Sequence, residues 1–190
     1  VFHFSRYIYW AFNDVRIRVM NSFHRDSVHY RMLKKHWKTF LKSPDQLKGD
    51  YRYIRTVDEH MNDFMIHDYA ANLHPDLEEA FKLKDFFQKG IKETTYQEAE
   101  AFIDEFITML RCAHTKEFKD IKKTFVNWKS EIINSFMVHP LTEKRMTNGT
   151  VEGINNYIKV IKRVSYGFRN FNRFRSRILF LYNKQYAMMG

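Results

Sequence analysis

The stretch TNGTVEGINNYIKVIKR, Thr147 to Arg163, sets one carboxylate in front of a run of cations. From Thr147 to the C-terminus Glu152 is the only acidic residue, against eight Lys and Arg. At about 100° per residue, Glu152, Asn155, Asn156, Lys159, Lys162 and Arg163 fall on one side of a helix. Ile154, Tyr157, Ile158, Ile161 and Val164 fall on the other. Carboxylate oxygens suit a hard divalent cation, and unbalanced Lys and Arg suit a phosphate backbone. A first-turn acid also complements the helix dipole, a gain of about 0.3–1 kcal/mol. Gly149 and Gly153 flank the carboxylate. A helical Gly costs about 1 kcal/mol relative to Ala, which suggests a need for close approach. Asn155 and Asn156 are placed to orient a ligand or contact a base.

Further cations follow at Arg169, Arg173, Arg175 and Arg177, interleaved with Tyr166, Phe168, Phe171 and Phe174. Such mixtures can hold phosphates and stack on unpaired bases. The helical spacing of the aromatics predicts a packing role, and the absence of balancing acids predicts that the cations bind. The nine histidines contain no pair at the spacing of a zinc-binding helix. The sequence offers no Ser/His/Asp pattern, no Gly-rich phosphate loop and no Cys pair.

The elements that position these residues are helical. The 190 residues include only 6 Gly and 3 Pro, few for a sheet-rich domain. Hydrophobic residues make up 44% of the chain, enough for a sizeable core. VFHFSRYIYWAFNDVRIRVMNSF reads as one helix with Ile8, Ala11, Phe12, Val15 and Val19 inward. YRMLKKHWKTFLKS reads as a second, and DYRYIRTVDEHMNDFMIHDYAANL as a third with weaker periodicity. Pro75 opens the next, with acids early, Lys late and Gly90 as its stop. Thr94 or Thr95 is expected to cap another, and TKEFKDIKKTFVNWKSEIINSFMVH precedes Pro140. Thr147 or Asn148 caps the Glu152 helix. Ser165-Tyr166-Gly167 breaks it, and a last helix buries Phe171, Phe174, Ile178 and Leu181.

The net charge of +10 favours a polyanionic partner and is unevenly spread. Residues 1–41 carry eight Lys and Arg against Asp14 and Asp26, and residues 147–190 carry eight against Glu152. The remaining 105 residues carry 16 against 19 acids. A lone Cys112 rules out an internal disulfide framework and suits a reducing cytoplasm. No apolar run approaches the roughly 20 residues that span a bilayer, so no membrane is expected.

Three words together resemble a known family: FHF with AFNDVR near the start, WKSEIINSF at Trp128–Phe136, and TNGTVEGINNYIKVIKRVSYGFRNFNRFRSRIL. They are similar to the C-terminal part of bacterial insertion-sequence transposases of the ISL-three type, which carry a DDE catalytic domain. The resemblance implies a ribonuclease-H-like core in which two Asp and one Glu hold two Mg2+ or Mn2+ ions. The Glu of the family's NG-x-x-EG-x-N word falls on Glu152, a catalytic and metal-binding position. Asn155, Asn156, Lys159, Lys162, Arg163, Arg169 and Arg173 would contact DNA, and His3 would support the active site.

The fold expected is mainly α: a helical bundle insertion plus the C-terminal helices of a core whose β-sheet lies upstream. Residues 1–24 would be a core helix, 25–146 the insertion, and 147–190 the helices carrying the last acid. The core parts, 1–24 and 147–185, would pack together and merge their basic surfaces. The family's second Asp would fall just before Val1 and the first further upstream, so the chain reads as a fragment, inactive alone. Its partners would be DNA and a homo-oligomer in a synaptic complex. A non-catalytic helical nucleic-acid-binding module is the alternative.

Overall fold

The computed structural model describes residues 2–138, 145 and 149–187, with side chains described for all of these but 2, 3, 150, 151, 182 and 184–187. It is mainly helical, with two compact units, Val1–Arg145 and Met146–Gly190.

In the first unit the long α1 (Phe2–Ser22) is followed by α2 (Val28–Lys35) and α3 (Trp37–Phe40). A hairpin of β1 (Arg52–Ile54) and β2 (Glu59–Met61) comes next, then α4 (Asp63–Ala71) and α5 (Pro75–Glu93). The unit continues with α6 (Ala99–Cys112), α7 (Lys116–Asn127) and α8 (Lys129–Asn134). The inward stripe of α1 is as its spacing predicts, since Ile8, Phe12 and Val15 are fully buried. It packs on α5 and α7, and α6 closes against both of those. Phenylalanines fill the junction: Phe12 and Phe81 lie 4.8 Å apart, Phe87 and Phe106 4.8 Å, and Phe106 and Phe125 5.1 Å. At such separations aromatic pairs add to the area that they bury.

Several sequence expectations are corrected here. The stretch read as a third helix begins with the hairpin, in antiparallel register Arg52 with Met61, Tyr53 with His60 and Ile54 with Glu59. Asp58 turns it in the left-handed region (φ 60°) and accepts a hydrogen bond from the Tyr53 hydroxyl. Asp tolerates that conformation better than most residues because its side chain bonds locally. The second helix breaks at His36, and the one before Pro140 breaks at Trp128. Helix α5 runs through Gly90 to Glu93. A Cβ at Gly90 would stand 1.9 Å from the Phe102 ring, so this glycine admits α6 rather than ending α5. Thr94 caps the C-terminus of α5, and α6 starts only at Ala99, after a turn in which Thr95 donates to the Glu98 carboxylate. Arg145 completes the end of α5, donating to the carbonyls of Ile91 and Thr94 and lying 4.6 Å over Phe136.

The second unit contains α9 (Gly149–Val164) and α10 (Phe171–Ala187), which touch one another. The expected caps Thr147 and Asn148 lie outside the described residues. Among the described residues no helix is long and apolar enough to cross a membrane.

Candidate nucleic-acid interface

Helix α9 sorts its side chains by face. Ile161 is buried, and Ile154, Tyr157 and Ile158 are half-buried. Glu152, Asn155, Asn156, Lys159, Lys162 and Arg163 are all exposed. They recur every three or four residues and form one stripe about 16 Å long at 1.5 Å per residue. Val164, expected on the apolar side, is exposed instead. A Cβ at Gly153 would meet nothing within 4 Å, so no neighbour among the described residues requires that glycine.

The helix ends in a two-bond C-terminal motif: Tyr166 N–H donates to the Arg163 carbonyl (3.1 Å) and Gly167 N–H to that of Lys162 (3.3 Å). Tyr166 takes the left-handed position (φ 53°) that usually belongs to Gly. Its side chain is fully exposed. Asn170 then caps α10, its Oδ1 accepting from Arg173 N–H at 3.1 Å. Phe168 and Phe174 pack at 4.9 Å across this corner. Arg169, Arg173, Arg175 and Arg177 are exposed. Phe171, expected inside, is 74% exposed, although Phe174, Ile178 and Leu181 on the same face of α10 are half-buried.

None of the cations from Lys159 to Arg177 has a carboxylate within ion-pair distance among the described residues. Their charge is available to an outside anion. A metal centre is not assembled by the described residues: they contain no group of three or more His, Cys, Asp or Glu placed to hold an ion. Glu152 offers one ligand carboxylate amid amides and cations, which is short of the donor set for two divalent ions. His3 lies in α1, and its side chain is outside the described residues.

Sequence reasoning passed over a second basic and aromatic locality. In the first unit Arg6, Trp10, Asn13 and Arg16 from α1 and Trp37 from α3 line one pocket. The signal was present, since positions 6, 10, 13 and 16 recur at helical spacing beside the inward stripe of α1.

Comparison with known proteins adds the family. A curated protein of Lactococcus lactis subsp. lactis named "ATP-dependent protease" is 28% identical over 137 residues. That alignment covers 72% of this chain, and the chain spans about two fifths (40%) of that relative. No solved structure matches. Residues 1–178 match the DDE family of ISL-three type, described as "Transposase". The match runs from the first residues of α1 into α10 and takes in the whole Glu152 stripe, so the chain belongs to the ISL-three family of DDE transposases.

Proposed function

We propose that this chain serves a DNA transposase by supplying a catalytic carboxylate, Glu152, and a basic surface that holds the DNA backbone beside it. The observation that carries the reading is the stripe itself. One exposed carboxylate stands at the head of a line of exposed cations without acidic partners among the described residues, inside a segment that matches the family. Backbone contacts from Lys159, Lys162, Arg163, Arg169 and Arg173 would fix the strand in register without reading its sequence. Asn155 and Asn156 lie between carboxylate and cations, where their amides can orient the strand. Mg2+ or Mn2+ belongs to this reading as the group that Glu152 would help to hold, with the other ligands outside the described residues. When bound, such ions stabilise charge on phosphodiester oxygens.

The reading includes the division into 1–24, 25–146 and 147–190, with the middle part as an insertion in the catalytic core. It also includes a synaptic homo-oligomer as the working assembly and the cytoplasm as its place. The protease name of the lactococcal relative finds no support in these residues. The sequence contains no Gly-x4-Gly-Lys-Ser/Thr loop to cradle ATP.

The test uses the complete transposase on a labelled insertion-sequence end. Glu152→Gln should abolish metal-dependent cleavage while leaving DNA affinity within about twofold. Lys159→Ala/Arg163→Ala should weaken binding and reduce the slope of log affinity against log salt by about 2, one unit per lost phosphate contact. The 190 residues alone should bind DNA and cleave nothing. Cleavage that survives Glu152→Gln would remove the catalytic assignment. Binding without cleavage by the complete protein would leave the non-catalytic module.

A further inference from the structure

The pocket on α1 presents both aromatic rings and guanidinium groups. Its volume of about 390 Å³ lies within the usual range for small-molecule sites. Two tryptophans, Trp10 and Trp37, line it while remaining 52% and 40% exposed. Large apolar rings left this open in a unit with an otherwise dense core call for an explanation. Tyr7 packs edge-on against Trp10 at 5.7 Å, and the Arg6 guanidinium lies 4.7 Å over the same ring.

The charges in the pocket have one sign. Arg16 is buried, at 7% exposure, and its guanidinium donates only to neutral acceptors, the Met20 sulfur at 3.7 Å and, through three hydrogen bonds, oxygens. These oxygens are Asn13 Oδ1, at 3.0 and 2.7 Å, and the Leu33 carbonyl at 2.8 Å. Burial pushes its pKa down, the direction expected of a cation taken from water without a counter-ion. Arg6 has no ion-pair partner among the described residues, and the lining includes no carboxylate. Because two guanidinium N–H groups bond to Oδ1 of Asn13, that amide is fixed with its NH2 uncommitted among the described residues. Two indole surfaces, two guanidiniums and one amide donor match the base, phosphate and base edge of a nucleotide.

We infer that this pocket takes up one unpaired nucleotide of a DNA strand, with the base on Trp10 and Trp37 and its phosphate toward Arg6 and Arg16. The inference rests on the DNA reading given above and deepens it. The surrounding residues 1–41 carry a net +6, which favours a polyanion over an isolated nucleotide. A base inside a duplex has both faces covered by its neighbours, so an internal nucleotide must leave the stack to reach the indoles. Unpaired or mismatched positions cost least to extract and are the preferred ligands.

Anisotropy titrations of the protein with three probes test this: a fully paired duplex, the same duplex with one bulged 2-aminopurine nucleotide, and free deoxyadenosine monophosphate. The bulged duplex should bind about tenfold more tightly than the paired one, with quenching of tryptophan fluorescence. Trp10→Ala and Trp37→Ala should each remove most of that advantage without changing affinity for the paired duplex. Trp10→Phe, which keeps a stacking face, should retain it. Equal affinity for bulged and paired duplexes would overturn this inference and leave the DNA reading standing. Failure to bind any DNA would overturn both. A site that binds the free mononucleotide but gives no gain on the bulge would overturn the assignment to DNA. Equal loss on paired and bulged duplexes in the Trp variants would reduce the indoles to general contacts.

Discussion

Two acidic side chains in the first turns of their helices, Asp63 and Glu152, are in opposite situations. Asp63 is completely buried at the start of α4 and takes 2.6 and 2.7 Å ion pairs from Lys42 and Arg52, plus the Lys48 N–H at 3.2 Å. Glu152 is exposed at the start of α9 with no cation partner among the described residues. Their surroundings differ in the same way. All buried apolar side chains described lie between Ile8 and Phe136 except Ile161. Several cations of the first unit are tied to acids, as when Arg18 bridges Asp76 and Glu117, both at 2.7 Å. In the second unit Val164, Phe171 and Phe180 stay exposed, and the cations from Lys159 to Arg177 have no acidic partner among the described residues. Outside the α1 pocket, ion pairs of this kind help to hold the first unit, and none is found among the described residues of the second.

Removing each carboxylate should therefore break different properties. Asp63→Asn leaves Lys42 and Arg52 without a counter-charge, a change that typically costs 3–5 kcal/mol for a buried pair. Because both cations are partly exposed, about 3 kcal/mol is expected, a drop in Tm of roughly 10 °C by calorimetry. The acid limb follows from the same site. Burial raises the Asp63 pKa, but the Lys42, Arg52 and Lys48 hydrogen bonds outweigh it and hold the carboxyl at about 2, below its ordinary 3.8. A carboxyl depressed on folding stabilises at pH values above its unfolded pKa. That contribution, about 2 kcal/mol, should disappear as pH falls from about 4 through about 2, and the Asn variant should lack this part of the acid transition. Glu152→Gln, on an open surface, should leave Tm nearly unchanged. A large loss of stability there would break the contrast.

The sequence exposed these two regions unequally. Helices α1, α5, α9 and α10 could be read because each has a sustained apolar period, and α5 also has Pro75 with Asp76 and Glu78 at its start. The β1–β2 hairpin could not. Strands of three residues are too short for alternation to register, and the turn depends on Asp58 entering a conformation that no motif announces. Breaks at His36 and Trp128 contain neither Gly nor Pro. The Glu152 stripe was legible since its members lie on one helix, where spacing alone groups them. The α1 pocket was not, as Trp10 and Trp37 meet only after α3 folds back beside α1. Gly90 was misread for a related reason: only the position of Phe102 on α6 tells a packing glycine from a terminating one.

The same substitution at two glycines then gives the finest test of the comparison. Gly90→Ala drives a methyl into the Phe102 ring, at 1.9 to 2.6 Å from three of its atoms. Overpacking of this kind costs about 1–3 kcal/mol, partly offset by helix propensity, so thermal melts should show a lower Tm. Gly153→Ala meets open space, and α9 should gain up to about 1 kcal/mol of helical stability. Helix propensity alone therefore favours alanine beside Glu152, and packing among the described residues gives no reason for glycine there. If a DNA strand must approach the backbone next to this carboxylate, Gly153→Ala will raise stability yet lower the cleavage rate of the complete transposase. Unchanged cleavage would show that the missing side chain has no part in catalysis, and the Glu152 face would keep its cations as its sole claim on DNA.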